Sequence, residues 1–213
     1  MFNVKKLSTW LIIAGIVIFL IPIIGGIYTD YKQEQLYQKF LADGSKVQES
    51  YELLQETLLL PGDATTDSII TSPAAVVEPA YEPTILGRIK IPKINESLLL
   101  VEGVKSKDLK VGAGHIPGTA MPGEIGNCAI AGHRNYTFGS YFNRLDEVAV
   151  GDIITIDYGK KSFAYEVYEI LVVLPEDTSV LNYNDQDKVL TLITCTPVRV
   201  ATHRLIVHAL LVQ

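Results

Sequence analysis

The chain has 213 residues, a formal net charge of −6 and only two cysteines. This length is enough for one sizeable hydrophobic core with additional segments. The acidic balance offers no basic surface for nucleic acid, and two cysteines are too few for a small secreted scaffold held together by disulfides.

An uncharged segment near the N-terminus comes first in chain order. Leu11–Ile27 contains no charged residue, and with its uncharged flanks it reaches about 20 residues, the length that spans a bilayer. Lys5 and Lys6 precede it, which predicts a cytoplasmic N-terminus. Residues 1–29 are therefore predicted to form a cytoplasmic start and an uncleaved transmembrane signal anchor. A cleaved signal peptide is the alternative, although no clear small-x-small cleavage site follows the apolar run.

Two segments without chemical motifs follow the predicted anchor. In residues 30–60, apolar side chains recur near a helical period, which predicts a helical juxtamembrane stalk. Residues 61–83 consist largely of Ala, Thr, Ser, Pro and acidic residues, and such a composition cannot bury enough apolar surface to order itself. We expect a flexible linker there and a domain boundary near Thr84.

From residue 84 to residue 213 the pattern changes to short apolar or alternating runs, separated by turns that contain Gly and Pro. A hairpin turn is predicted at residues 159–161, a brief helix within 109–114, and a second short helix over Phe138–Val148. Many short strands with at most two short helices predict a mostly β domain, folded as a closed antiparallel or mixed barrel.

Cys195 lies at the end of the apolar run Thr191–Cys195, where Thr196 and Pro197 begin a loop. A thiol at a strand end is accessible, and a nearby cation turns it into a good nucleophile by favouring the thiolate. A buried structural thiol is one alternative, because free cysteine is among the most buried residue types. A disulfide with Cys128 is a second alternative, and it would silence the nucleophile.

Two further strand ends carry side chains suited to covalent acyl transfer. His133 follows the predicted strand 127–132, and its imidazole can stabilise a thiolate and protonate a leaving amine. Arg204 begins the last predicted strand, separated from Cys195 by eight residues, so adjacent antiparallel strands would bring the two together. Its guanidinium could then stabilise an oxyanion. The ordinary alternatives are a structural role for His133 and a surface salt bridge for Arg204.

Metal chemistry is the remaining option for these side chains. Four histidines and two cysteines could bind zinc, but neither a CxxC nor an HxxxH spacing occurs. Of the other histidines, His115 lies in a Gly/Pro-rich loop, His203 lies beside Arg204, and His208 lies within a predicted strand. We therefore predict neither a metal site nor a cofactor.

The motifs around these residues resemble those of sortases, the transpeptidases that anchor proteins to the surface of Gram-positive bacteria. The TLxTC run with a downstream arginine is highly specific, and the predicted signal anchor agrees with it independently. The matching segments cover the whole predicted β domain and are Gly114–Ala120, Ala131–Arg134, Thr191–Pro197 and Thr202–Val207.

The resemblance implies an eight-stranded sortase β-barrel in which His133 is the catalytic histidine, Cys195 the nucleophile and Arg204 the oxyanion-stabilising residue. It also implies that Thr194 contributes to substrate binding and that the loop Pro175–Asp187 shapes the substrate site. The implied reaction cleaves an LPXTG-like or LPXTA-like sorting signal after its threonine, through a thioester. The acyl group then passes to an amine of a peptidoglycan precursor, at the outer face of the cell membrane.

Within the family, the resemblance is greatest to the class D anchoring enzymes. No Asp-Pro-aromatic lid motif occurs, and the chain ends in its last predicted strand without the second membrane helix of pilin-polymerising sortases. A pilus-assembly sortase, a cysteine hydrolase and a catalytically decayed surface-displayed binding barrel are the alternatives. Labelling of Cys195 by a thiol probe separates an active site from a decayed one, and a preference for added amines separates a transpeptidase from a hydrolase.

Overall fold

The computed structural model describes residues 12–16, 19–20, 24–42, 82–134, 141–182, 185–198 and 200–212. The chain divides into two compact units, one made of Met1–Tyr37 with Pro83–Gln213 and one of Gln38–Glu82. The linker predicted over residues 61–83 and the later part of the predicted stalk lie almost entirely outside the described residues.

The N-terminal part is helical where it is described, and its longest helix, α1, spans residues 24–42. Among the described residues, no helix combines the length and the apolar character needed to cross a membrane. Part of the predicted anchor, residues 1–11, 17–18 and 21–23, falls outside the described positions.

Eight strands form a closed barrel, which confirms the predicted mostly β fold and its strand number. The spatial order is β1-β2-β3-β4-β7-β8-β6-β5. The strands are β1 (Ile85–Ile91), β2 (Glu96–Glu102), β3 (Ala113–His115), β4 (Gly126–Ala131), β5 (Ile153–Tyr158), β6 (Lys161–Val173), β7 (Lys188–Thr196) and β8 (His203–Leu211).

The barrel is mixed, because β2 pairs with β3 and β4 pairs with β7 in parallel, while the other neighbours are antiparallel. The predicted hairpin between β5 and β6 is confirmed: Tyr158 pairs with Lys161, leaving a two-residue turn. Gly159 begins this turn with a φ of 59°, a left-handed conformation that glycine adopts without a steric penalty.

Helices within the β domain are shorter than the sequence pattern indicates. The helix expected within residues 109–114 is wrong in position: α2 spans Ser106–Leu109, and β3 already begins at Ala113. Of the helix expected over Phe138–Val148, the described part contains only a 3-10 turn at Leu145–Glu147. Tyr141 has a φ of 35°, outside the right-handed helical region, which prevents a regular helix from passing through it. Two more 3-10 turns are Pro92–Ile94 and Ser179–Leu181.

Alternation along the strands separates an interior face from an exterior face. In β7, Leu190 and Leu192 are fully buried and belong to the hydrophobic core, as do Leu205 and Val207 in β8. The residues between them therefore point outward. Other core members are Ile89, Ile91, Leu98, Leu100, Cys128, Ile130, Phe142, Leu145, Ile154, Ile156 and Tyr165.

The first part of α1 contacts the outside of the barrel at β1 and β2. The side-chain oxygen of Gln33, a residue only 7% exposed, accepts a hydrogen bond of 3.2 Å from the backbone N–H of Leu99. Glu34 forms a 2.8 Å ion pair with Arg88, whose guanidinium lies 4.0 Å from the ring centre of Tyr37. The segment predicted as a stalk thus makes specific contacts with the β domain over its first turns.

Candidate active site

The register of three adjacent strands places the predicted site residues in one row. Cys195 and Arg204 are direct cross-strand partners in the antiparallel pair of β7 and β8. In the parallel pair of β4 and β7, Ala131 lies opposite Ile193. Continuing this register by two residues beyond the end of β4 brings His133 to the level of Cys195.

Alternation also puts the three side chains on the same side of the barrel. Leu192 and Leu205 face the core, so their neighbours Ile193 and Ile206, and then Cys195 and Arg204, face outward. Cys195 and Arg204 are each partly exposed, as is His133. The backbone register therefore places the residues that carry the thiol, the imidazole and the guanidinium at one level on the outer face, where three strand ends meet.

Arg204 is held by the loop that precedes its own strand. Its Nη1 donates hydrogen bonds to the carbonyl oxygens of Ala201 at 3.2 Å and His203 at 3.1 Å. Ala201 has a φ of 56°, which turns the loop back toward β8. These contacts fix one edge of the guanidinium fork beside Cys195, and a fork of several donors suits a developing oxyanion.

The backbone on either side of His133 is tied to neighbouring elements. The N–H of Gly132 donates to the carbonyl of Ile193 at 3.0 Å, and the hydroxyl of Thr194 donates to the carbonyl of Gly132 at 2.8 Å. The carbonyl of His133 accepts a bond of 3.2 Å from the N–H of Phe142. These bonds orient the backbone as it leaves β4, and so they determine the position of the His133 backbone that carries the imidazole.

Thr194 itself is 2% exposed, and its hydroxyl proton is donated to Gly132. The substrate-binding role expected for Thr194 stays a prediction. The contact links β7, one residue before Cys195, to Gly132, which lies just past the end of β4 and one residue before His133.

Gly132 is required by close packing beside the site. A Cβ atom at this position would lie 2.5 Å from Cδ2 of Phe142, whose side chain is fully buried. The aromatic ring therefore occupies the space that any larger residue would need. This close approach of the Phe142 ring explains why the Ala131–Arg134 motif has a glycine directly before His133.

The two cysteines occupy opposite faces of the barrel and are both free thiols. Cys128 is 1% exposed in the core, and burial raises the pKa of its thiol to about 12. Cys195 lies on the outer face. The alternative of a Cys128–Cys195 disulfide is wrong, since the wall of the barrel separates the two side chains.

The other histidines are engaged elsewhere. The fully buried ring of His115 lies between the carboxylate of Glu102, 2.8 Å from Nδ1, and the carbonyl of Ala120, 3.0 Å from Nε2. His203 contacts the hydroxyl of Thr202 at 2.9 Å. In the described part of the chain, no group of three or more His, Cys, Asp or Glu side chains is placed to hold a metal ion.

His208 belongs to a buried polar chain that the sequence pattern did not reveal. The hydroxyl of Thr191 donates to Oδ1 of Asn127 at 2.7 Å, so it accepts from Nδ1 of His208 at 2.9 Å. Burial lowers the pKa of His208. Asn127 in turn donates to the carbonyl of Val180 at 3.1 Å, within the Pro175–Asp187 loop. These hydrogen bonds hold the loop against β4. The only sign of them in the sequence was a polar residue, Asn127, within the otherwise small and apolar strand β4.

Arg134 is a second residue whose contacts were not predicted. It follows His133 directly, yet its side chain is only 5% exposed and bonds to three residues: Asn143, Asp146 and Thr196, which is next to Cys195. Its position in the Ala131–Arg134 motif was the only signal in the sequence.

Comparison with known proteins bears on this arrangement. A model of the sortase domain family matches residues 89–212, more than half of the chain. The chain belongs to the sortase family. Members of this family are cysteine transpeptidases that anchor proteins at the cell wall, and the predicted resemblance is confirmed.

Relatives and solved structures agree with this assignment. The sortase is 34% identical to Sortase D of Bacillus subtilis (strain 168) over 111 residues, which are 52% of this chain and 54% of the relative. The match thus spans about half of that protein. Sortase A from Corynebacterium diphtheriae has 38% identity and a TM-score of 0.60, with 62% of each chain covered. Streptococcus pneumoniae Sortase C has 30% identity and a TM-score of 0.59, covering 61% of this chain and 69% of that chain.

Proposed function

We propose that this sortase is a membrane-anchored transpeptidase of the class D type. It cleaves an LPXTG-like or LPXTA-like sorting signal on surface proteins and transfers the new acyl end to an amine of a peptidoglycan precursor. The observation that carries the proposal is the row of His133, Cys195 and Arg204 across three adjacent strand ends on the outer face of the barrel. This row combines a nucleophile, a proton carrier and an oxyanion donor.

In the first half of the reaction, the thiolate of Cys195 attacks the carbonyl carbon of the signal threonine. A C–S bond forms, and the carbonyl electron pair moves onto the oxygen, where Arg204 stabilises the negative charge. The intermediate then collapses, the C–N bond breaks, and the imidazolium of His133 gives its proton to the leaving amine. The products are a thioester on Cys195 and the released C-terminal segment of the signal.

In the second half, an acceptor amine attacks the thioester carbonyl, and Arg204 again faces the oxyanion. His133, now neutral, accepts the proton that the amine loses. The C–S bond breaks, a new amide forms, and thiolate and imidazolium are restored. Because the thioester lies on the outer face of the barrel, both substrates can reach it from solvent.

Membrane attachment is proposed from the sequence. The uncharged run Leu11–Ile27 preceded by Lys5 and Lys6 supports a single anchor, with the β domain on the outer side of the membrane. Extraction of bacterial membranes with alkaline carbonate tests this point. A chain that stays in the membrane pellet, and is cleaved by protease added to protoplasts, supports the anchor; release into the supernatant contradicts it.

The catalytic proposal is tested by mass spectrometry on the full chain in non-ionic detergent. A panel of LPXTG and LPXTA peptides is added with and without an amine acceptor, and the Cys195→Ala variant serves as the control. We expect an acyl adduct on Cys195, cleavage after threonine, and an amine-linked product. Cleavage that yields only the free acid whatever the amine concentration would identify a hydrolase. No adduct with any peptide would favour the decayed-site alternative.

A further inference from the structure

Arg134 connects the two strand ends that carry the thiol and the imidazole. Its side chain is 5% exposed, and each of its three nitrogens has a partner. Nη1 donates to the hydroxyl of Thr196 at 3.2 Å, Nε to the carbonyl of Asn143 at 3.2 Å, and Nη2 pairs with the carboxylate of Asp146 at 2.7 Å. The whole guanidinium fork is thus engaged.

The partners of Arg134 matter because of their neighbours in the chain. Arg134 directly follows His133, and Thr196 directly follows Cys195. Strand β4 ends at Ala131, so His133 lies beyond the paired part of β4 and β7. The Arg134–Thr196 hydrogen bond joins the segment that follows β4 to the end of β7, one residue beyond His133 and Cys195. The Thr194–Gly132 hydrogen bond joins the same two segments one residue before His133 and Cys195, so each reactive residue has a bonded neighbour on both sides.

Burying a guanidinium is costly unless its charge and its hydrogen atoms are matched. One carboxylate matches the charge here, and Asp146 is itself about half exposed, with 54% of its side chain accessible. The contacts to Thr196 and to the carbonyl of Asn143 add no opposite charge, but they fix the plane of the fork. This geometry serves orientation more than charge pairing.

Resting on the proposed function, we propose that Arg134 is a positioning residue that sets the spacing between the imidazole of His133 and the thiol of Cys195. It touches neither the acyl group nor the leaving amine. A displacement of about 1 Å in a reacting group can cost roughly 100-fold in rate. Lysine keeps the charge of arginine but cannot satisfy three partners in one plane. Loss of the fork should therefore slow the chemical steps and leave peptide binding largely intact.

The experiment compares Arg134→Gln, Arg134→Lys, Thr196→Val and the double variant Arg134→Gln/Thr196→Val, each as the full chain in non-ionic detergent. Arg144→Gln is the matched control, because Arg144 lies in the same segment and is paired with Glu147 but does not contact the residues next to Cys195. Three quantities are measured: kcat and KM for the preferred peptide, Tm, and the rate of Cys195 alkylation by iodoacetamide at pH 7 relative to pH 10.

We expect Arg134→Gln and Arg134→Lys both to lower kcat by at least about tenfold, with KM within about twofold of the unsubstituted chain. The alkylation ratio between pH 7 and pH 10 should fall, because a displaced imidazole stabilises the thiolate less well. Thr196→Val should cause a smaller loss of kcat. In the double variant this loss should not multiply with that of Arg134→Gln, because both changes break the same hydrogen bond.

Three results would overturn the proposal. A lysine variant with unchanged kcat would show that charge alone suffices. A fall in activity that follows Tm in the same proportion as in Arg144→Gln would assign Arg134 to general stability. If the losses of kcat in Arg134→Gln and Thr196→Val multiply in the double variant, the two residues do not act through their shared hydrogen bond. If Arg134→Gln does not fold, Thr196→Val decides, since it only replaces the hydroxyl with a methyl group, and an unchanged kcat then contradicts the proposal.

The proposed function can fail separately from this inference. If the unsubstituted chain labels at Cys195 but cleaves no peptide, the transpeptidase proposal fails. The alkylation ratio then still reports whether Arg134 supports the reactive pair: an unchanged ratio in both Arg134 variants contradicts the positioning role.

Discussion

Replacing Glu96 with glutamine should stabilise the protein in alkaline solution and leave it unchanged in acid. Glu96 begins β2 and is partly buried. Desolvation raises the pKa of its carboxyl from 4.5 to about 7; the negative charge of Asp30 adds to the rise, and Arg144 opposes it. Asp30 and Glu96 line a cleft of about 310 Å³ with Glu34 and Arg88.

The direction of the effect follows from proton binding. Between pH 4.5 and about pH 7, folded Glu96 keeps a proton that the unfolded chain has lost. Raising the pH therefore removes stability through this window, and the loss is complete above it. At about 1.4 kcal/mol for each pKa unit, the full difference is on the order of 3 kcal/mol. Because the carboxyl is partly exposed, solvent screening reduces this to about 1–2 kcal/mol.

Thermal unfolding of the full chain in detergent, followed by circular dichroism at pH 4 and pH 8.5, measures the effect. Glu96→Gln should raise Tm by roughly 2–8 °C at pH 8.5 and by about zero at pH 4. Glu166→Gln, on the exposed side of β6, is the control for the loss of a carboxylate elsewhere on the barrel. Equal gains at both pH values, or no gain at pH 8.5, would refute the reasoning.

Three further predictions concern the site and its support. Arg204→Lys should lower kcat/KM by about 2–3 kcal/mol of transition-state stabilisation, because lysine lacks the fork; near-normal turnover of the peptide would remove Arg204 from the oxyanion role. Gly132→Ala should cost about 1–3 kcal/mol in urea unfolding, because its Cβ meets the buried ring of Phe142; an unchanged midpoint would show that the ring can move. Iodoacetamide at pH 8 should modify Cys195 and spare the buried Cys128, as peptide mapping will show; labelling at both would contradict the assigned faces.

The pairing of Cys195 with Arg204 could be predicted because it is a local property of the chain. Two apolar runs separated by eight residues form an antiparallel pair, and the register brings the two side chains opposite each other. The arrival of His133 at the same level depends on a parallel pairing between β4 and β7, strands about sixty residues apart. Local pattern contains no information on that register. The end of a predicted strand marked His133 as a candidate, and only the family resemblance assigned it the catalytic role.

Contacts between side chains and backbone were the least predictable features. No sequence pattern indicated that the buried hydroxyl of Thr194 donates to the carbonyl of Gly132. The helix expected over Phe138–Val148 has a plausible apolar period, but Tyr141 takes a positive φ while its hydroxyl bonds to the carbonyl of Lys110. Such tertiary contacts become visible only in three dimensions.

The bond between Gln33 and Leu99 has a practical consequence for choosing a protein fragment. The β3 side of β2 is paired only from Leu100 onward, and Gln33 covers the backbone N–H of Leu99 just before that point. A fragment that starts at Thr84 would uncover this stretch and remove Glu34 and Tyr37 from Arg88. Unpaired strand edges recruit strands from other molecules. Such a fragment is therefore prone to edge-to-edge association, and a domain for crystallisation should begin upstream of Gln33.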